Sequence, residues 1–350
     1  RSDYQCRQAI RSAVKRGNGA QVIVTGCYAE TNPGDVLKIS GVTKIVGNAR
    51  KQVVSEYGAL PKPVQFKGTA SPILQGRTRP VIKIQDGCEA FCSYCIIPKA
   101  RGRSRSIPRA EVLAQFDALT GAGAPEIVLS GIHIGKYGKD IDSSTSLTSL
   151  VRELLKRRGS SRIRLSSIEP REITQELVDH LGNGLCRHLH IPLQSGDDGI
   201  LQAMNRDYSS QFYLDAVNRI AAEVPGIAIG ADVMVGFPGE GDKEFQNTLN
   251  MITESPITHV HAFSYSPRPG TVASEMKSQV HEVDKKLRNE QVRLAGLKKN
   301  YDFRKKLIGK KLGIVIENDQ AKDPASTHNG MSDNYIRVAV NALCTDHIGK

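Results

Sequence analysis

Three cysteines crowd into eight positions of the segment DGCEAFCSYCIIPKARGRSRS, spaced Cys88-x3-Cys92-x2-Cys95. Thiolates this close in a flexible loop can wrap one face of a cubane iron–sulfur cluster and leave its fourth iron without a protein ligand. S-adenosylmethionine can chelate an open iron of that kind through its amino and carboxylate groups, which places the sulfonium where one electron cleaves it to a 5′-deoxyadenosyl radical. The competing reading is a structural zinc knot, but structural zinc takes four ligands and the loop holds no fourth Cys or His. Tyr94, between Ser93 and Cys95, carries a ring that can stack on adenine or simply pack the loop. Lys99, Arg101, Arg103 and Arg105 alternate just beyond. In an extended backbone they project to one side, towards RNA phosphate, the carboxylate of a bound nucleoside, or solvent.

The elements that must position these residues are legible from periodicity. Strand-like runs recur at VIKIQ (81–85), EIVLS (126–130), RIRLSS (162–167), HLHIPLQ (188–194), IAIGADVMVG (227–236) and HVHAFSY (259–265). Between them helical patterns fall at about 109–120, 147–157, 173–181, 197–204, 210–223 and 241–254. Strand and helix in alternation imply parallel strands joined by right-handed crossovers, with chemistry beyond the carboxyl ends of the strands. Six such units predict a partial (β/α)6 barrel or an open doubly wound sheet. Before them, QVIVTG (21–26) and TKIVG (43–47) form a small α/β piece, and residues 57–79 read as a linker. After Ala273 a charged stretch to about Lys306, with Leu287, Val292, Leu294 and Leu297, predicts an amphipathic helix. LGIVIEN (312–318) and NYIRVAV (334–340) then suggest the start of a small β-barrel.

With 350 residues, 39% of them hydrophobic, the chain can bury a sizeable core, and no apolar run approaches the roughly 20 residues needed to span a bilayer. A soluble protein with no membrane partner is expected. Seven cysteines, an odd number with three clustered, suit metal ligation in a reducing compartment better than a disulfide framework, so the cytoplasm is the default location. A net charge of +12, from 48 Lys and Arg against 36 Asp and Glu, makes an anionic partner plausible without naming it.

The words around the cysteines carry a resemblance. CSYCIIPKARGRSRS, EIVLSGIHIGKYG, RIRLSSIEP, HIPLQSGDDGILQAMNRDY, DVMVGFPGE and FSYSPRPGT, spread over about residues 81 to 275, resemble the radical S-adenosylmethionine methylthiotransferases. The likeness is greatest to the branch that thiomethylates N6-threonylcarbamoyladenosine beside the tRNA anticodon; the isopentenyladenosine tRNA branch and the ribosomal-protein aspartate branch share most of the motifs. A catalytically silent RNA-binding protein is the alternative from another class. The resemblance implies a radical SAM core over residues 74–306 whose [4Fe-4S] cluster is bound by Cys88, Cys92 and Cys95 with S-adenosylmethionine on the open iron. It also implies a truncated auxiliary-cluster domain over 1–60 and an incomplete TRAM-like RNA-binding β-barrel over 307–350. The expected partners are tRNA and an electron donor such as flavodoxin or ferredoxin, and the expected state is a monomer.

Site residues follow from the same likeness. Ser130 and Gly131 would offer backbone groups to the methionine end, Gly131 because it lets the backbone approach closely. Ser167 and Glu169 would accept from ribose hydroxyls or the ammonium group, Gln194 would serve a ribose or substrate base, and Val235 in DVMVGFPGE would line the adenine. Asp232 is the weaker candidate of that segment, and His188 and His190 read as ordinary core histidines. His133 is either functional or a loop cap. The family's second cubane takes three cysteines, and Cys27 in TGCYAE matches the third; Cys6 matches neither of the others, so the chain is expected to start just after the second ligand. Cys186 and Cys344 read as structural thiols.

Overall fold

The computed structural model describes residues 2–48, 78–317 and 328–340. Most of the predicted linker, the domain boundaries at 60 and 74, and Cys344 lie outside the described residues. The described residues fall into two compact units: one takes those before 70 with 87–91 and 95–103, the other 78–86, 92–94 and 104 onward.

In the first unit, α1 (Ser2–Arg16) precedes β1 (Val22–Thr25), α2 (Cys27–Thr31), α3 (Pro33–Leu37) and β2 (Val42–Val46). The two strands pair in parallel. Val24, Tyr28, Ala29 and Val36 form its core, with Cys6 and Ile10 packed against it from α1.

The second unit contains β3 (Val81–Lys83) and β4 (Gln85–Asp86), with α4 (Ile97–Arg101) of the first unit following in the chain. Then come β5 (Arg105–Ser106), α5 (Arg109–Gly121), β6 (Glu126–Ser130), α6 (Leu147–Arg157), β7 (Arg162–Leu165), α7 (Gln175–Asp179) and β8 (His188–His190). The core continues with α8 (Asp198–Ala203), α9 (Ser210–Glu223), β9 (Ala228–Val235), α10 (Asp242–Glu254), β10 (His259–Ser264), α11 (Val272–Glu275) and α12 (Glu282–Lys305). Side-chain caps fix the entry to four of the helices: Ser146 to α6, Thr174 to α7, Asp197 to α8 and Ser209 to α9 each accept from a backbone N–H two or three residues into the helix. One continuous apolar cluster runs from Ile82 on β3 to Val292 on α12.

The partial (β/α)6 barrel is not what forms. The strands make two separate parallel sheets, in the orders β3-β6-β7 and β10-β9-β8. Only isolated bridges, Ile163 to Leu185 and Ser167 to His190, join β7 to the segment around β8. The turn at Gly182–Gly184, which holds two residues at positive φ, and the three-residue length of β8 keep that ladder from running on. None of the sheets among the described residues closes.

Among the described residues the C-terminal strands do not close into a β-barrel either. β11 (Ile314–Ile316), β12 (His328–Ser332) and β13 (Arg337–Val340) make an antiparallel sheet of three strands. Nor does α12 bury the expected leucines: Leu287, Leu294 and Leu297 are exposed, while Lys285, Arg288, Val292 and Gly296 face inward. The reason is close approach. A Cβ at Gly296 would stand 2.8 Å from Val260 Cβ on β10, and the buried Arg288 guanidinium is satisfied by Glu240 and Asp242 at 2.8–3.0 Å.

The tail sheet is tied to the core by charge. Glu126 on β6, fully buried, accepts from Arg164 at 2.7 and 2.9 Å and from Arg162 at 2.7 Å. Those two arginines of β7 then donate onward to the carbonyls of Gly313, Met331, Ser332 and Asp333. Arg187 pairs with Asp333 at 2.7 Å, Arg79 with Glu317 at 2.6 Å, and Tyr335 stacks on His188. Burial alone would raise the Glu126 pKa, but the hydrogen bonds and charges of Arg164 and Arg162 outweigh it and leave it lowered. A lowered folded-state pKa stabilises the fold fully above the unfolded value of about 4.3 and loses that contribution as pH falls through the folded value. Glu126→Gln, which leaves the buried Arg164 and the partly exposed Arg162 without their counter-charge, is therefore expected to cost about 3 kcal/mol at pH 7 in urea denaturation. The gap from wild type should shrink below about pH 4; a gap unchanged with pH would count against a charge role for this carboxylate.

Candidate functional site

The cysteine loop starts directly after β4. Gly87 adopts φ +76°, and any side chain there would overlap the Arg103 carbonyl, so only glycine lets the loop limbs close. The Cys88 N–H donates to Gly102 O at 3.1 Å across that closure. Each thiol has an N–H donor: Ala90 N lies 3.4 Å from Cys88 Sγ, Ile97 N 3.5 Å from Cys95 Sγ, and Arg206 Nη1 3.4 Å from Cys92 Sγ. Donors of this kind favour the thiolate, the form that ligates metal. All three cysteines are half-buried and free of disulfides. Among the described residues, the one group of His, Cys, Asp or Glu atoms compact enough to share a single ion is His190, Asp232 and His261.

In the first unit Cys27 opens α2 after Gly26. The Asn48 side-chain amide lies 3.9 Å from Cys27 Sγ and donates to Ala100 O of α4 at 2.6 Å, so it ties Cys27 to the helix that follows Cys95. That helix changes the reading of the basic row. Lys99 and Arg101 sit two positions apart on α4 and do not share a face, Arg103 lies 3.8 Å from Glu89, and Arg105 belongs to β5. No one-sided row forms.

In the second unit the carboxyl ends of the strands carry the other candidates. Gln85, fully buried, uses its amide oxygen to accept from Ile132 and His133 N at 3.1 and 2.8 Å and its nitrogen to donate to Ser104. This pins the turn after Ser130. A Cβ at Gly131 would approach Gln85 O to 2.9 Å, and the Ser130 carbonyl accepts from Ile84 N at 2.8 Å. His133 Nε2 lies 2.8 Å from Glu172 Oε1. Ser167 is exposed, and Gln194 holds φ +61°, a conformation rare for a residue with a side chain, while its backbone bonds to Asp232 and Met234. Val235 is buried in the main core. Tyr94 packs edge-on to Phe237 beside Met204 and Tyr265, and burial raises its pKa well above the usual value. Cys186 is buried, which pushes its thiol up to about 12.

The residue that sequence reading missed is Arg206, in the MNRDY run. Its side chain is 5% exposed, donates to Cys92, forms an ion pair with Glu169, and lies 5.0 Å over the Tyr208 ring. Burial raises the Glu169 pKa, with Arg206 acting in the opposite sense. The MNRDY motif was visible, but nothing in the spacing says that an arginine more than 100 residues downstream returns to the cysteine loop.

Residues 82–252 match the radical SAM superfamily. The fold is similar to that of the radical S-adenosylmethionine methyltransferase TsrM from Kitasatospora setae, with TM-score 0.59 and 16% identity over 75% of this chain and 61% of that one. By the superfamily match residues 82–252 form a radical SAM domain, of a class that works with a [4Fe-4S] cluster and S-adenosylmethionine. The chain is 37% identical to the threonylcarbamoyladenosine tRNA methylthiotransferase MtaB of Bacillus subtilis, over 99% of this chain and 81% of that protein. It is 35% identical to the protein of that name in Aquifex aeolicus, over 96% and 83%. It belongs to the threonylcarbamoyladenosine tRNA methylthiotransferase family.

Arg206 is the counter-charge of the half-buried Glu169, so Arg206→Ala should destabilise the chain by about 2 kcal/mol in urea, because a charge-assisted hydrogen bond is lost. Adding Glu169→Gln should recover part of the loss, and a double-mutant cycle showing additive costs would refute the coupling.

Proposed function

We propose that this chain inserts a methylthio group at C2 of N6-threonylcarbamoyladenosine next to the anticodon of tRNA, with Cys88, Cys92 and Cys95 holding the [4Fe-4S] cluster and S-adenosylmethionine on its open iron. The observation that carries the reading is the N–H donor at each of the three thiols, in a chain of this family. When bound, the cluster and S-adenosylmethionine supply a 5′-deoxyadenosyl radical, which suits an unactivated aromatic C–H that offers no acidic proton to side-chain bases.

The chain's own residues bind and orient. Ser130 and Gly131 present backbone to the methionine end, in a turn kept rigid by Gln85. Ser167, Glu169 and Gln194 serve the ribose and ammonium side, with Glu169 oriented by Arg206. Tyr94 acts as the apolar wall near the adenine, and Val235 supports the end of β9 there from within the core. Lys99, Arg101, Arg103 and Arg105 provide charge for RNA even without a single face. Cys27 is a ligand of the second [4Fe-4S] cluster, residues 1–60 belong to the domain that carries it, 74–306 form the radical SAM core, and the tail from 307 holds RNA. A flavodoxin or ferredoxin delivers the electron, and the chain acts as a monomer in the cytoplasm. Among the described residues no helix is long and apolar enough to cross a membrane.

After anaerobic reconstitution with iron and sulfide, dithionite and S-adenosylmethionine should yield 5′-deoxyadenosine, and Cys92→Ala should abolish it. Nucleoside mass spectrometry of threonylcarbamoyl-modified tRNA should then show the gain of one methylthio group, whereas isopentenyl-modified tRNA stays unchanged. A full cluster without 5′-deoxyadenosine, or product on the isopentenyl tRNA instead, would overturn the assignment.

A further inference from the structure

β8, β9 and β10 lie side by side in one parallel sheet, and each gives one potential metal ligand to the same spot: His190, Asp232 and His261. His261 stands opposite Asp232 in the ladder, while His190 stands opposite Gly230, one side-chain step away on the same face. Glycine at that step is what lets the His190 ring lean towards Asp232, since a Cβ at Gly230 would come within 2.7 Å of His190 Nδ1. As a result His190 Nε2 is 3.0 Å and His261 Nδ1 is 3.5 Å from the same Asp232 oxygen, and the two rings are 5.1 Å apart.

Two imidazoles and one carboxylate with mutual separations of 3.0 and 3.5 Å match neighbouring ligands around an ion with bonds of about 2.0–2.2 Å; all three ligand atoms lie within 4.8 Å of one another. This nitrogen and oxygen set suits zinc, iron(II) or cobalt(II) and differs in kind from the soft thiolates of the cysteine loop. His190 and His261 also line a cavity of about 260 Å³ with Ser166, Ser167 and Arg164, which leaves room for solvent or a small ligand at the remaining coordination positions. Arg164 and Arg79, the two arginines of that lining, are spent on Glu126, Glu317 and the tail carbonyls, so neither fills the place of the ion.

We propose that His190, Asp232 and His261 form a three-ligand site for one divalent transition metal of the zinc class, separate from the iron–sulfur ligands. The site stands on geometry alone and does not depend on the methylthiotransferase reading.

The test uses the full chain with Cys6, Cys27, Cys88, Cys92, Cys95 and Cys344 changed to Ser, so that only the buried Cys186 keeps its thiol, and Co2+ as the probe. One equivalent should bind with visible d–d absorption and without near-ultraviolet thiolate charge transfer, and one equivalent of Zn2+ should displace it. His261→Ala, a half-exposed strand position, should weaken binding by roughly 100-fold or more, since removing a ligand exceeds the 10–100-fold cost of losing its outer support. Asp232→Asn should do the same, and His180→Ala, at a distant helix end, should not. Should the serine background fail to fold by circular dichroism, zinc per chain is measured by mass spectrometry in the cluster-loaded protein with and without His261→Ala. Absence of a stoichiometric equivalent in that measurement, or binding indifferent to both substitutions, overturns the site.

Discussion

A carboxylate with no exposure to water must be matched by cations held in place, and Glu126 organises the second unit through that requirement. It sits at the start of β6 and takes both β7 arginines, 162 and 164. Their remaining N–H groups are fixed in direction by the planar guanidinium, and they meet the carbonyls of the tail. Strand register, sheet order and the docking of the tail sheet are therefore one problem with one solution. A hydrophobic cluster in the same place could match its stability, but it would not specify which carbonyls the tail must present.

The opposite ends of the strands repeat the device with a different outcome. Arg206 is as buried as Arg164, yet it divides its donors between a carboxylate and a thiol. A guanidinium has five donors in a fixed fork, so one side chain can hold Glu169 and Cys92 at a set distance from each other. Lysine, a point charge on a flexible stem, would hold either one without fixing the other. Arg206 thereby links a carboxylate to a cysteine of the loop, whereas the arginines on Glu126 link strands to the tail.

Much of this was written in the sequence. Alternation of strand and helix located the six core strands to within a few residues, because their two-residue and 3.6-residue periods are imposed by burial on one face. The cysteine spacing pointed to the radical SAM class, which the family match over residues 82–252 supports. What failed were properties of assembly. Closure of a sheet depends on ladders between strands far apart in sequence, and the break between β7 and β8 comes from local turns that the hydrophobic pattern does not record. The α12 leucines misled because the helix packs through Gly296 and the stems of Lys285 and Arg288, which a hydropathy stripe scores as solvent. The basic row failed for a simpler reason: Ile97–Arg101 is helical, so alternation in sequence is not alternation in space.

The histidines show why some site geometry is beyond a single sequence. His190 and His261 lie 71 positions apart and Asp232 between them, each in a different strand-like run, with no short motif linking them. Taken alone, His190 reads as a core histidine and Asp232 as a weak candidate beside the adenine segment, and His261 carries no signal of its own. Only the pairing of β8 and β10 on either side of β9 brings the rings to one carboxylate, and only the missing side chain at Gly230 gives His190 the space to reach it. Parallel neighbours make such convergence natural, because every strand offers the same face at the same height.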